Sequence, residues 1–216
     1  MSINLLTELG FATWQTLYMV GVASGIAVII GLPLGIILFT TRSGGILAKP
    51  AFNKLLGSMV NALRSIPFII LLVAIIPFTR WVVGTSIGAT AAIIPLAVGA
   101  IPFLARIIEN ALEEVSKGLI EAGQAMGASA LQIIRYILLP EALSGIINGI
   151  TVTVITLVSY SAMAGVVGGG GLGDLAIRYG YQRFDAMVML TTIVILIVIV
   201  QLMQMFGDYL AKRVNH

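Results

Sequence analysis

The chain has 216 residues, a formal net charge of +3 at pH 7, and only 10% charged against 59% hydrophobic residues. Its mean hydropathy is +1.07. Soluble domains contain about 25% charged residues, so this composition excludes a water-soluble globular protein and indicates a membrane protein. The sequence contains no cysteine, which excludes disulfides and thiolate metal sites.

The apolar residues form five candidate membrane spans, because a bilayer core requires about 17–25 apolar helical residues per crossing. In chain order, the predicted spans are residues 14–40, 57–78, 82–105, 143–167 and 186–206. We therefore predict an all-α fold, a polytopic membrane protein with five transmembrane helices that forms a single domain over residues 1–216. The opening residues contain Glu8 and no Lys or Arg, so we expect the first span to be retained rather than cleaved as a signal peptide.

The basic residues predict the orientation, because Lys and Arg are enriched in cytoplasmic loops. With five spans, nine of the twelve Lys and Arg residues fall on one side of the membrane, and Arg80, Arg178 and Arg183 fall on the other. We therefore expect the C-terminus in the cytoplasm and the N-terminus outside. The dispersal of basic residues over several loops also argues against nucleic-acid binding.

Glycine pairs at four-residue spacing recur in the spans and predict close helix packing. The pairs are Gly21 and Gly25, Gly31 and Gly35, Gly84 and Gly88, and Gly145 and Gly149. Because five helices alone enclose a solute path poorly, we predict a homodimer with the path along its seam.

A glycine-rich run follows the fourth span. Gly168, Gly170 and Gly173 match the G-x-G-x-x-G pattern of dinucleotide-binding loops, but no β-strand is predicted before them. We therefore expect a close-approach turn at the outer end of the molecule. Two interpretations of that turn stay open, a landing site for a partner protein and an inert connection.

Ionisable side chains are nearly absent from the interior of the predicted spans. Arg64, Arg80, Arg106 and Glu109 all fall at span ends. Ion-coupled carriers keep such residues near the bilayer midplane, so their absence disfavours a carrier of that kind and indicates transport driven by another protein. No nucleophile–base pair or metal-ligand set is present, and we predict neither catalytic nor metal-binding residues.

The longest polar interruption, about residues 106–142, connects the third and fourth spans in the expected cytoplasm. Ser116 and Ser129 are candidate N-caps. Gly127 is a candidate helix-ending residue and Pro140 a candidate stop, which together predict two short helices joined at Gly127. The residue pattern alone allows an amphipathic helix on lipid headgroups or a surface that binds another protein.

This segment resembles the cytoplasmic coupling loop of bacterial ABC importer permeases, in which E-A-A is followed by G and then by I-x-L-P. The matching residues are Glu121, Ala122, Gly123, Gly127, Ile137, Leu139 and Pro140. Gly123 is the single departure, since the family has alanine there. The resemblance implies that these residues form a coupling helix that docks on a separate ABC ATPase subunit.

Further stretches are similar to the permeases of methionine importers, a group of type I ABC importers. They are GLPLGIILFTTR (31–42), RSIPFIILL (64–72), GTSIG (84–88), ENALEEV (109–115) and SYSAMAG (159–165). The resemblance implies a homodimeric permease in the bacterial inner membrane with two MetN-like ATPase subunits and a MetQ-like extracytoplasmic binding protein. It implies uptake of methionine, including its D-isomer, with ATP and Mg bound by the ATPase and no cofactor or enzymatic activity in this chain.

For the solute path we expect the fourth span to contribute Thr156, Tyr160 and Met163, which share one helix face at i, i+4 and i+7. Ser161 flanks them. Hydroxyl groups in membrane helices also serve as hydrogen-bonding groups between helices, so a purely structural role is an open alternative. Two other functions also stay open, an ABC permease for another small amino acid or solute and, less favoured, an ion-coupled carrier.

Overall fold

The computed structural model describes residues 3–214, which are helical apart from short turns. The helices are α1 (Ile3–Thr41), α2 (Pro50–Ser65), α3 (Phe68–Ala74), α4 (Ile76–Val83), α5 (Ala89–Glu113), α6 (Lys117–Ala125), α7 (Ala130–Ile133), α8 (Leu139–Glu141), α9 (Leu143–Val166), α10 (Gly171–Leu175) and α11 (Ala186–Val214). Two π-helical turns, Ile134–Leu138 and Ala176–Tyr181, follow α7 and α10. Residues 3–214 contain no strand, and the all-α prediction is confirmed.

Four helices, α1, α5, α9 and α11, are each long and apolar enough to cross a membrane, and the bent pair of α2 and α3 supplies a fifth crossing if it counts as one. The second span, predicted over about residues 57–78, is not a single helix, because α2 and α3 meet at 100°. Proline disfavours the helical conformation at the residue before it. Ile66, which precedes Pro67, is accordingly extended, with φ −80° and ψ 121°.

The third span was predicted over residues 82–105, but α5 begins at Ala89 and continues to Glu113. A turn separates it from α4, with φ of 83° at Gly84 and 98° at Gly88. Glycine adopts these angles without steric cost. Gly84 and Gly88 therefore end one helix and begin the next, and their prediction as a helix-packing pair is wrong.

The most extensive helix pair is α1 against α5. A Cβ added at Gly35 would lie 2.6 Å from the carbonyl oxygen of Ala105 and 2.7 Å from the Cβ of Ile108. One added at Gly31 would lie 3.1 Å from the carbonyl oxygen of Ile101. The predicted packing role of Gly31 and Gly35 is confirmed.

A neighbouring side of α5 receives α9. A Cβ at Gly145 would lie 3.0 Å from the Cβ of Ala111, and a Cβ at Gly149 would clash with the side chain of Ile107. The main core lies between α1, α5 and α9, whose buried side chains include Met19, Leu104 and Leu157. The remaining pair, Gly21 and Gly25, has no neighbouring helix within 4 Å of an added Cβ.

We expect Gly35→Ala to destabilise the bundle, because the new Cβ meets backbone of α5 that cannot move alone. Overpacking of this kind costs about 1–3 kcal/mol. The measurement is the midpoint of thermal denaturation of the purified protein in detergent. Gly25→Ala is the matched control in the same helix and should keep or slightly raise the midpoint, since alanine favours helix. A Gly35→Ala midpoint equal to that of the parent would contradict the contact.

Candidate functional site

The coupling segment, residues 114–142, links α5 to α9. Residues 106–113, which the prediction assigned to this connection, are the last two turns of α5. The predicted pair of short helices is confirmed as α6 and α7, and Gly127 between them has φ 77°. Ser129 caps α7 as predicted, because its Oγ accepts the backbone N–H of Gln132 at 3.4 Å and its own N–H donates to Gln132 Oε1 at 2.7 Å. Ser116 precedes α6 without such a side-chain bond.

Pro140 does not end a helix, contrary to the prediction. The chain stays helical from Ala130 to Glu141 through a π-helical turn. In this turn the Leu139 N–H donates to the Ile134 carbonyl, one residue farther back than in an α-helix. Pro140 then lies in the first turn of α8, where a missing N–H is tolerated.

Three of the seven motif residues hold the coupling segment together. Gly123 is buried, and a Cβ there would lie 2.6 Å from Cδ1 of Ile137. Ile137 and Leu139 are partly buried against the main core, which includes Ile133 and Leu138. The glycine at position 123, where the family pattern has alanine, therefore makes room for Ile137.

The other four motif residues, Glu121, Ala122, Gly127 and Pro140, are exposed. Large apolar side chains near them are also exposed: Leu119 by 43%, Met126 by 80%, Leu131 by 72% and Tyr136 by 68%. Leu119 and Ala122 lie at i and i+3 on one side of α6, and Met126 follows directly after its last residue. These three residues are termed the coupling face. An exposed apolar surface of this kind marks a binding surface for protein or membrane.

A polar cleft of about 580 Å³ borders another side of α6, where Gln124 faces the link between α1 and α2. In the cleft wall, Arg42 Nη1 pairs with Glu113 Oε1 at 2.7 Å. The same guanidinium lies 4.2 Å from the ring centroid of Phe39. These contacts connect the end of α1 to the end of α5, directly before the coupling segment.

Two of the predicted path residues lie on different surfaces. The half-buried Tyr160 ring stacks on Phe68 of α3, with centroids 4.3 Å apart and planes inclined by 6°. Met163 is 44% exposed and, with Ser159, lines an apolar groove between α9 and α11. Tyr160 thus contacts the broken second span, whereas Met163 faces away from it.

The two predicted hydroxyls bond within their own helix. Ser161 is buried, and its Oγ donates to the Val158 carbonyl at 2.7 Å. Thr156 Oγ1 donates to the Val152 carbonyl at 2.8 Å. These bonds satisfy the hydroxyls locally, which favours the structural alternative, and a role of Thr156 and Ser161 in the path stays a prediction.

The glycine-rich segment at the other end of α9 packs against α1. The Gly171 N–H donates to Gln15 Oε1 at 3.0 Å, and the Leu172 N–H donates to Thr16 Oγ1 at 2.9 Å. Gly170 and Gly171 have φ of 74° and 78°. The predicted close-approach turn is confirmed, and a helix rather than a strand precedes it.

Charged groups at this end join the start of α1 to the residues after α10. The Tyr179 hydroxyl donates to Glu8 Oε1 at 3.2 Å. Asp174 Oδ2 lies 2.7 Å from Arg178 Nη2, and hydrogen bonding to Asp174 raises the pKa of the Arg178 guanidinium above its ordinary value. The coupling segment and this charged cluster, which consists of Glu8, Asp174, Arg178 and Tyr179, therefore occupy opposite ends of the bundle.

Residues 27–216 match the protein family described as binding-protein-dependent transport system inner membrane component. The chain belongs to this family. Its helical architecture is that of a type I ABC importer permease, as the coupling motif predicted.

Similarity to individual proteins extends over nearly the whole permease. The chain is 60% identical over 205 residues to the "Probable D-methionine transport system permease protein MetI" of Vibrio cholerae, and the match covers 95% of this chain and 91% of that one. It is 57% identical over 152 residues to the D-methionine transport system permease protein MetI of Escherichia coli K12, covering 70% of each chain. A chain of the inward-facing MetNI methionine ABC transporter matches with a TM-score of 0.98 at 51% identity, with full coverage of both chains.

A polar network between α2 and α5 of the permease has no counterpart among the predictions. Arg106 donates to Asn61 Oδ1 at 3.1 Å and to the Gly57 carbonyl at 3.0 Å, and it pairs with Glu109. The i, i+3 spacing of Arg106 and Glu109 was the available sequence signal. Their partners on α2 could not be predicted, because a straight second span would place them elsewhere.

Proposed function

We propose that this chain is the membrane-spanning permease subunit of an ATP-driven ABC importer that moves methionine, including its D-isomer, into the cytoplasm. The near full-length similarity to methionine permeases carries the proposal. In this assembly two MetN-like ATPase subunits bind ATP and Mg, a MetQ-like protein delivers methionine from outside, and two copies of the permease form the path.

The coupling face is the surface that we propose for ATPase docking. Its residues Leu119, Ala122 and Met126 are exposed and uncharged, as the core of a protein interface requires. Glu121 lies outside this face, among the residues that line the polar cleft, and we propose its carboxylate as a separate contact with the ATPase. The motif residues Gly123, Ile137 and Leu139 support this surface from inside the segment.

A displacement of the coupling face is transmitted to the membrane spans through packed side chains. Val115, Ile133 and Leu138 of the coupling segment are buried in the same core as Ile108 of α5 and Ile146 of α9. Close-packed cores transmit displacement rather than absorb it. Movement of the segment by the ATPase therefore moves the cytoplasmic ends of α5 and α9 together.

The substrate assignment predicts ATP-dependent uptake of labelled methionine by proteoliposomes that contain the permease, its ATPase and its binding protein. Excess unlabelled L- or D-methionine should compete, because both share the proposed path. Vesicles without ATP provide the control. Uptake of a chemically different solute, with methionine neither transported nor competing, would contradict the assignment.

The docking proposal predicts that Ala122→Glu abolishes ATPase association, because an unpaired carboxylate desolvated at an interface costs several kcal/mol. Gln124→Glu is the matched control, since it adds the same charge on the same helix about 200° away, toward the polar cleft. The measurement is the amount of ATPase that copurifies with each variant. Equal recovery for Ala122→Glu and the parent would assign the coupling face to another contact.

The orientation proposal places the coupling segment in the cytoplasm and the charged cluster outside. The chain lacks cysteine, so single introduced cysteines report accessibility without background. Tyr181→Cys, 67% exposed in the parent, should react with an impermeant maleimide in spheroplasts. Ala48→Cys, in the exposed link between α1 and α2, should react only in inverted membrane vesicles. The reverse pattern would invert the topology.

A further inference from the structure

A cavity of about 220 Å³ lies where α2 breaks into α3, against α5 and α9. Its main lining residues are Arg64, Phe68, Leu71, Gly99, Phe103 and Tyr160. The cavity thus combines one guanidinium group with three aromatic rings. This combination of a few polar groups and an apolar wall is typical of small-molecule sites.

Arg64 lies in the last turn of α2, directly before the break between α2 and α3, and is exposed. Its Cζ is 6.0 Å from the ring centroid of Phe103, and Phe103 lies about 15 Å along the helix from the C-terminal end of α5 at Glu113. Within residues 3–214 the Arg64 side chain forms no ion pair and no side-chain hydrogen bond. An arginine at a break between apolar helices of a membrane protein faces water or an anionic partner, and we take it as a candidate functional residue.

The aromatic part of the cavity is held in place. Phe68 is 7% exposed and stacks on Tyr160. Gly99 lies beside them, and a Cβ there would be in ordinary van der Waals contact with the Phe68 ring at 3.4 Å and with Leu71 Cδ2 at 3.5 Å. Thioether sulfur makes favourable contacts with aromatic rings.

We propose that this cavity is a transient site for the methionine that crosses the permease, an inference that rests on the proposed function. The Arg64 guanidinium receives the α-carboxylate, since its fork of donors matches carboxylate geometry. Phe68, Phe103 and Tyr160 contact the thioether side chain. The cavity is partly open, so the site holds methionine weakly enough to release it.

Arg64→Gln tests the site in proteoliposomes that contain the full complex, with uptake of labelled methionine and ATP hydrolysis measured together. We expect methionine uptake per ATP hydrolysed to fall about tenfold or more, because a charged hydrogen-bonding partner is lost, and Arg64→Lys to restore part of it. Arg80→Gln on α4, outside the cavity, should transport like the parent. Copurification with the ATPase verifies that each variant folds. A parent-like uptake ratio for Arg64→Gln would overturn the inference.

Chemical protection distinguishes a substrate carboxylate from a lipid phosphate as the Arg64 partner. Phenylglyoxal modifies accessible arginine, and mass spectrometry compares its rates at Arg64 and Arg80 in nanodiscs that contain the full complex. Saturating methionine should slow modification of Arg64 only, whereas methioninol, which lacks the carboxylate, should not. No protection by methionine, equal protection by methioninol, or protection only by anionic lipid would each overturn the assignment.

The two proposals fail in different ways. If the parent complex does not take up methionine, the proposed function is wrong, whatever happens at Arg64. If the parent takes up methionine while Arg64→Gln matches it, only the site within the membrane is wrong.

Discussion

α1 and α9 both approach α5 through glycines, and a Cβ at Gly35 or Gly149 would collide with it. In a bilayer, close packing of this kind replaces the hydrophobic effect that holds soluble helices together. Since α2 is also tied to α5 through Arg106, α5 is the element against which the other spans are positioned. Its C-terminal end leads directly into the coupling segment, so the most tightly packed helix is also the one that the ATPase is proposed to move.

The coupling motif combines two physical requirements in one short segment. Gly123 and Ile137 pack against each other inside it, whereas Ala122 and Met126 are exposed. Small residues serve both purposes, because they allow close approach within the segment and leave a smooth surface outside. Only some of the motif residues are therefore available for contact with another protein, and the others pack inside the coupling segment.

Local signals were sufficient for much of this structure. Gly127 determines its turn and Ser129 its helix cap through their own backbone and side-chain chemistry. Gly31 and Gly35 pack against α5, as their four-residue spacing predicted. The break at Pro67 was not predictable from hydropathy, because apolar residues continue on both sides of it. The angle of 100° between α2 and α3 could not be predicted from the sequence. The position of Arg64 beside Phe103 and the stacking of Phe68 on Tyr160 depend on that angle, since it decides where α3 runs.

The π-helical turn Ile134–Leu138 allows the coupling segment to hold one residue more than an α-helix of the same length. A π turn corresponds to an α-helix with one residue inserted, and each residue turns a helix by about 100°. In an unbroken α-helix one inserted residue would therefore turn everything before it by that angle relative to α9, whereas the wider π turn takes up most of this rotation locally. The π turn therefore lets the coupling segment carry one residue more than an α-helix would hold while α6 keeps its present direction relative to the membrane helices.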